Sequence, residues 1–247
     1  MNVFKLTLME RKKKVLEIIE GAIKEGRSIL LEHEGKLVCM EHGIPTPRFF
    51  FAKDLNEVLN YGAVLNYPLV IKVVSPDIIH KSDVGGVELN LKDEDELHSA
   101  YQRILKNVRE RVPNARILGV LVEEMVPSGI EVVVGMLRDR SFGPTIMFGL
   151  GGIFIEVLKD VSFRVAPLSS IDAEEMINEI KGRRVLDSFR GSPPVDIDAL
   201  KNVILTLSEL SITYPEFLQI DLNPIIVRGK DLKVVDTRII LCGHKVC

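Results

Sequence analysis

Near its C-terminus the chain reads Gln219-Ile220-Asp221-Leu222-Asn223-Pro224, followed shortly by Val234-Val235-Asp236. In the first stretch polar and apolar residues alternate, the period of a half-buried strand. Successive strand side chains leave opposite faces, so Asp221 and Asn223 share one. A returning strand through Val234 brings Asp236 beside them. The fold must therefore let two short strands end together at one amide and two carboxylates. Such hard oxygen donors suit Mg²⁺, which takes one or two carboxylates and fills its shell with water and substrate phosphates. The plainer alternative is an Asn-Pro turn with an unrelated aspartate downstream.

The pattern elsewhere predicts a mixed α/β (α+β) protein. Helical spacing runs over residues 10–26, from Ser28 to about His42, from Asp54 to near Tyr61, from Asp93 to Arg111, from Asp172 to Ile180 and from Asp196 to Thr213. Strands are expected at Arg48–Ala52, Tyr67–Val74, Val87–Leu91, Gly119–Val126, Ile130–Leu137, Thr145–Gly149, Ile153–Leu158 and Ser162–Val165, with short ones around Gln219, Ile225 and Lys233. The expected division is a helical extension at 1–27, a smaller lobe at 28–124 and a strand-rich lobe at 125–247.

With 247 residues, 46% hydrophobic, 27% charged and a net charge of −3, the composition is that of a soluble enzyme. No basic stripe points to nucleic acid. The longest uncharged run, Ser141–Ile155, is too short and too broken by glycine to cross a membrane. Cys39, Cys242 and Cys247 lack metal-ligand spacing and read as free thiols in a cytoplasmic protein.

Lys72 sits inside the apolar run Val70-Ile71-Lys72-Val73-Val74. Burying a lysine is unfavourable unless its ammonium meets an anion, and a nucleotide phosphate would serve. On an edge strand it would simply point outward. The aperiodic stretch 75–86 that follows holds His80, Lys81, Gly85 and Gly86. It is long for a connection, and its glycines would let backbone N–H groups cradle phosphates. A neutral imidazole such as that of His80 is a competent phosphoryl acceptor near neutral pH, and a mobile loop would let it travel. The plainer alternative is a loop histidine bonded to nearby backbone. Glu123-Glu124-Met125-Val126 closes the smaller lobe, where main-chain groups can read an adenine edge and Glu131 can accept from ribose hydroxyls. A solvated strand end is the alternative. Phe148-Gly149-Leu150-Gly151-Gly152 allows close approach of backbone to a ligand, or serves only a tight hairpin. Arg164 follows, with a fork suited to phosphate.

Together these segments resemble the ATP-grasp fold, two α/β lobes with the nucleotide bound in the cleft between them. The wording of Ile71 to Val87, of Phe142-Gly143-Pro144 and of Phe148 to Gly152 resembles the β subunits of ADP-forming acetate–CoA ligases, also called ADP-forming acetyl-CoA synthetases. The resemblance covers about residues 28–241. It implies ATP or ADP and Mg²⁺ as ligands. Lys72, Gly85 and Gly86 would lie at the phosphates, and Glu123, Glu124, Met125, Val126 and Glu131 at the nucleoside. Asn223 and Asp236 would bind Mg²⁺. Asp221 would steady a phosphohistidine, His80 would carry the phosphoryl group transiently, and Arg164 would assist the transfer. A separate CoA-binding α subunit would bear the primary phosphohistidine, in an α2β2 assembly. Two other readings remain: a carboxylate–amine ligase on the same fold, and a nucleotide-sensing module without catalysis.

Overall fold

A computed structural model describes residues 8–152, 158–187 and 194–242. The chain divides into two compact units, one of Met1–Leu30, Glu34–Thr46 and Ser128–Cys247, the other of Leu31–His33 and Pro47–Pro127.

The second unit is an antiparallel sheet of four strands in the order β1-β4-β2-β3, comprising β1 (Phe49–Ala52), β2 (Leu69–Val74), β3 (Val87–Leu91) and β4 (Gly119–Glu124). Two helices cover one face, α3 (Leu55–Val64) and α4 (Glu94–Arg111). Asp54 and Asp93 cap them by accepting from the backbone N–H three residues on, as their positions before the apolar periodicity predict. Strand alternation decides which residues meet these helices. Leu69, Ile71 and Val73 of β2 and Val120 and Val122 of β4 join Leu97, Ala100, Ile104 and Val108 in one core. Val70, Lys72 and Val74, with Leu121 and Glu123, leave the opposite face.

The first unit is built on a six-stranded antiparallel sheet, β10-β8-β5-β6-β7 with β9 beside β8. Its strands are β5 (Ile130–Asp139), β6 (Gly143–Leu150), β7 (Val161–Val165), β8 (Phe217–Arg228), β9 (Asp231–Val234) and β10 (Thr237–Leu241). Helices α1 (Leu8–Lys24), α5 (Ser170–Glu179) and α6 (Ile197–Thr213) belong to this unit, as does most of α2 (Glu32–Glu41). The core gathers Val132, Val134, Ile146, Phe148, Met176, Ile204, Leu207, Ile220 and Leu222.

Several local expectations differ from what is observed. Helix α1, expected within a separate extension, contributes Val15, Ile19 and Ala22 to the first unit's core. Residues 34–46, expected with the smaller lobe, fall with the larger unit. Ser28 does not cap a helix; its carbonyl accepts from Leu241 N–H, and α2 starts at Glu32. Helix α5 begins at Ser170, where Ser169 and Asp172 form a reciprocal capping box, so Asp172 is the third helical residue rather than the cap. The two strands expected near Gln219 and Ile225 are one, β8. The strand expected at 153–158 falls almost wholly outside the described residues. Cys39 is a free, buried thiol whose pKa burial pushes up to about 12. Cys242 is disulfide-bonded, which corrects the expectation of free thiols for that residue. Among the described residues no helix is long and apolar enough to cross a membrane.

Candidate functional site

The residues singled out in the sequence fall into two groups, one in each unit. In the second unit Lys72 is only 4% exposed, on the sheet face away from α3 and α4. Its Nζ lies 2.6 Å from Glu123 Oε1, beside it on the neighbouring strand, and 2.8 Å from Glu32 Oε1. The other oxygen of Glu32 is 3.0 Å from Lys81 Nζ. Glu123 is 1% exposed and Glu32 5%. Two ammonium and two carboxylate groups thus cancel one another out of water, as such burial demands. His33 stacks on Phe51 at 4.5 Å between ring centroids.

The segment after β2 is fastened at several points. Asp77 takes the Arg116 side chain at 3.0 Å and the Arg116 N–H at 2.8 Å, which holds its carboxyl below the usual range. Ile78 is buried in the core, and Lys81 enters the charge cluster. Arg111 donates to the Asp83 carbonyl at 2.8 Å. Gly85 ends a short 3-10 turn at φ +64°, a conformation that favours glycine. Gly86 packs so closely that an added Cβ would come within 2.5 Å of Val73. Both glycines therefore shape the turn itself. His80 stands exposed, and among the described residues it makes no hydrogen bond. Fastened at these points, the loop presents a single exposed imidazole.

Glu124 accepts from Arg48 and Asn66, each at 3.2 Å. The N–H groups of Glu124 and Met125 are taken by the Arg48 and Pro68 carbonyls, which removes them as adenine readers. Val126 is the first residue of that segment whose N–H has no backbone acceptor among the described residues.

In the first unit Asn223 N–H donates to the Asp236 carbonyl at 3.3 Å, and Asp236 Oδ1 accepts from Thr237 N–H at 2.9 Å. Asn223, midway along β8, is therefore joined to Asp236 where the chain passes from β9 to β10, with Asp221 one alternation back along β8. No group of three or more His, Cys, Asp or Glu suited to a metal occurs among the described residues. An amide with one or two carboxylates is a donor set for a cation that shares its shell with phosphate, as Mg²⁺ does, rather than for an all-protein cage. Burial raises the pKa of Asp221, and Arg238 opposes the rise. Glu131 lies beside the glycine turn, where its carbonyl accepts from Gly151 N–H at 2.8 Å. An added Cβ on Gly151 would come within 2.9 Å of the Glu131 side chain. On the face that Asp221 shares with Gly135, Met147 and Phe163, a cavity of about 440 Å³ reaches Asn223.

Arg164 is not brought to this face. It pairs in register with Ile146, whose side chain is in the core, so it projects toward α5 and binds Glu179 and, at 3.2 Å, Glu175. Those bonds raise its pKa, Glu179 contributing most. One step of strand parity separates it from Asp221. Sequence reasoning missed Glu32 and Arg238. A buried lysine calls for a carboxylate, which points to Glu123 nearby; nothing local points to Glu32, forty residues away. Arg238 follows Asp236 by one strand alternation, a signal that was legible.

Residues 21–241 match the family profile of an ATP-grasp domain. The β subunit of acetate–CoA ligase [ADP-forming] I from Pyrococcus furiosus is 48% identical over 94% of this chain and 100% of its own length. The dinucleotide-forming acetyl-coenzyme A synthetase 1 of Ca. Korarchaeum cryptofilum, solved with coenzyme A, Ca-AMPCP and HgCl+, superposes at a TM-score of 0.90, with 48% identity over 92% of this chain and 99% of that one. A second structure of that enzyme, with coenzyme A, Mg-AMPPCP and a phosphohistidine segment pointing towards the nucleotide binding site, gives 0.81 and 44% over 92% of this chain and 100% of that one. The fold is an ATP-grasp domain, and the chain belongs to the family of β subunits of ADP-forming acetate–CoA ligases.

Proposed function

We propose that this chain is the nucleotide-binding half of an ADP-forming acyl-CoA synthetase, making ATP from ADP and a phosphohistidine derived from acyl-CoA and phosphate. The observation that carries the residue assignment is the joining of Asn223, midway along the strand that bears Asp221, to Asp236 through the main chain at 3.3 Å. Asn223 and Asp236 would hold Mg²⁺, which when bound offsets negative charge on the nucleotide phosphates. Asp221 accepts the ring N–H of an incoming phosphorylated histidine and so fixes which nitrogen carries the phosphoryl group. The exposed imidazole of His80 takes that group, breaking one P–N bond and forming another. It then passes the group to a terminal oxygen of ADP, which becomes ATP. Lys72, whose ammonium is already surrounded by carboxylates, exchanges part of that company for a nucleotide phosphate, with Gly85 and Gly86 setting the turn nearby. Glu131 and the segment from Glu123 to Val126 contact the nucleoside. The fold and the family favour this over a carboxylate–amine ligase or a nucleotide sensor.

A CoA-binding α subunit supplies the acyl phosphate and the primary phosphohistidine. An α2β2 assembly and a cytoplasmic setting complete the proposal. The test combines this chain with the α subunit of such a ligase and supplies acetyl-CoA, ADP, phosphate and Mg²⁺. ATP should form, and His80→Ala and Asp236→Ala should each lower the rate by about 100-fold or more. ATP synthesis unchanged by both substitutions would refute the assignment.

A further inference from the structure

Strand register draws a single row across the sheet of the first unit. Arg238 of β10 faces Asp221 of β8; Asp221 faces Gly135 of β5; Gly135 faces Met147 of β6; and Met147 faces Phe163 of β7. Directly opposed residues share a face, so the row runs cation, carboxylate, gap, thioether, phenyl ring. Gly135 puts no side chain beside Asp221, Met147 Cε reaching to 3.3 Å from where a Cβ would stand, and the cavity at Asp221 and Asn223 extends over Met147 and Phe163.

Arg238 is the unexplained member. Its Nε is buried without a hydrogen-bond partner, and no ion pair closes between it and Asp221 among the described residues. Three other arginines of the unit have partners, Arg27 in Glu34, Arg138 in main-chain carbonyls and Arg164 in Glu175 and Glu179. A buried guanidinium N–H without an acceptor is costly and needs an explanation. An anion that is present only during turnover supplies one. A phosphorylated imidazole arriving at Asp221 brings its dianion toward a carboxylate, and the repulsion must be offset where the phosphoryl group lands. Guanidinium geometry suits phosphate oxygens, which it can bind by two parallel hydrogen bonds.

We infer that Arg238 holds the phosphoryl group carried to Asp221 by the partner's histidine. The inference rests on the proposed role of Asp221 and adds a residue to it. Arg238 donates to the phosphoryl oxygens of the partner's phosphohistidine while Asp221 takes its ring N–H; it gives up no proton and leaves the metal and the nucleotide to other residues.

The test follows acid-labile ³²P from [γ-³²P]ATP in the complex with the α subunit, together with the affinity for Mg·ADP and the melting temperature. Arg238→Met should slow transfer of label to the partner by about 100-fold. Labelling of His80 and Mg·ADP affinity should stay within about twofold, and Arg238→Lys should recover roughly tenfold of the loss, because a point charge lacks the fork. If Arg238→Met melts early, Arg238→Gln is read in its place. Asp221→Asn separates the two claims. Slow transfer in Asp221→Asn with normal transfer in Arg238→Met sinks the arginine and keeps the aspartate. Normal transfer in Asp221→Asn sinks both. A loss of Mg·ADP affinity in Arg238→Met would make Arg238 a nucleotide residue and overturn the inference. Parallel loss of His80 labelling and melting temperature would make it a structural residue and overturn the inference equally.

Discussion

The two groups of polar residues face the same physical problem and solve it in opposite ways. In the second unit Lys72, Glu32, Glu123 and Lys81 are largely withdrawn from water and form ion pairs within 3.0 Å, the contact of Glu32 Oε2 with Lys81 being one of charge without hydrogen-bond geometry. In the first unit the side chains of Asp221, Asn223 and Arg238 make no hydrogen bond among the described residues, although Asp221 and Arg238 stand in register on neighbouring strands. A cluster of opposed charges stabilises a fold or stores a binding group until a ligand competes for it. An unsatisfied one is ready for something that arrives from outside. The difference teaches which charges answer to stability and which to chemistry.

The sharpest way to break this contrast is Lys72→Met. It takes from the buried carboxylates of Glu32 and Glu123 the ammonium they share, and removing one partner of a buried ion pair costs about 3–5 kcal/mol. Chemical denaturation should show a loss of that size, and a loss under about 1 kcal/mol would mean that water reaches the cluster. Asp221→Asn should behave oppositely. Burial makes the ionised form the unfavourable one in the folded state, so its pKa is raised. At neutral pH the neutral amide should melt at the same temperature or slightly higher, and the difference should vanish as pH falls below the ordinary carboxylate value of about 3.9. The smallest effect belongs to Arg164→Ala. Its ion pairs with Glu175 and Glu179 are largely solvated and worth less than about 1 kcal/mol, and ATP synthesis should stay within about twofold. A large loss of synthesis there would return Arg164 to the reaction.

Much of this architecture was legible in the sequence because it is local. Asp54, Asp93 and Asp196 cap helices from positions that periodicity alone identifies. The shared face of Asp221 and Asn223 follows from spacing within one strand. What failed was non-local. Arg164 lies on the other face from the one expected, because the parity of β7 is fixed only by its register with β6, where Arg164 meets Ile146. Ser28 has the local look of a helix cap, yet its carbonyl accepts from Leu241, a partner far along the chain. Glu32 acquires meaning only when α2 brings it to Lys72.

The fastening of the segment around His80 limits what that imidazole can do. With Asp77 tied to Arg116, Ile78 in the core and Lys81 bound to Glu32, its travel is that of a side chain turning about its own bonds, a few ångströms within nanoseconds. Such a group is a landing post rather than a ferry. Under the proposed function, the distance between thioester cleavage and ADP would then be covered by the partner subunit.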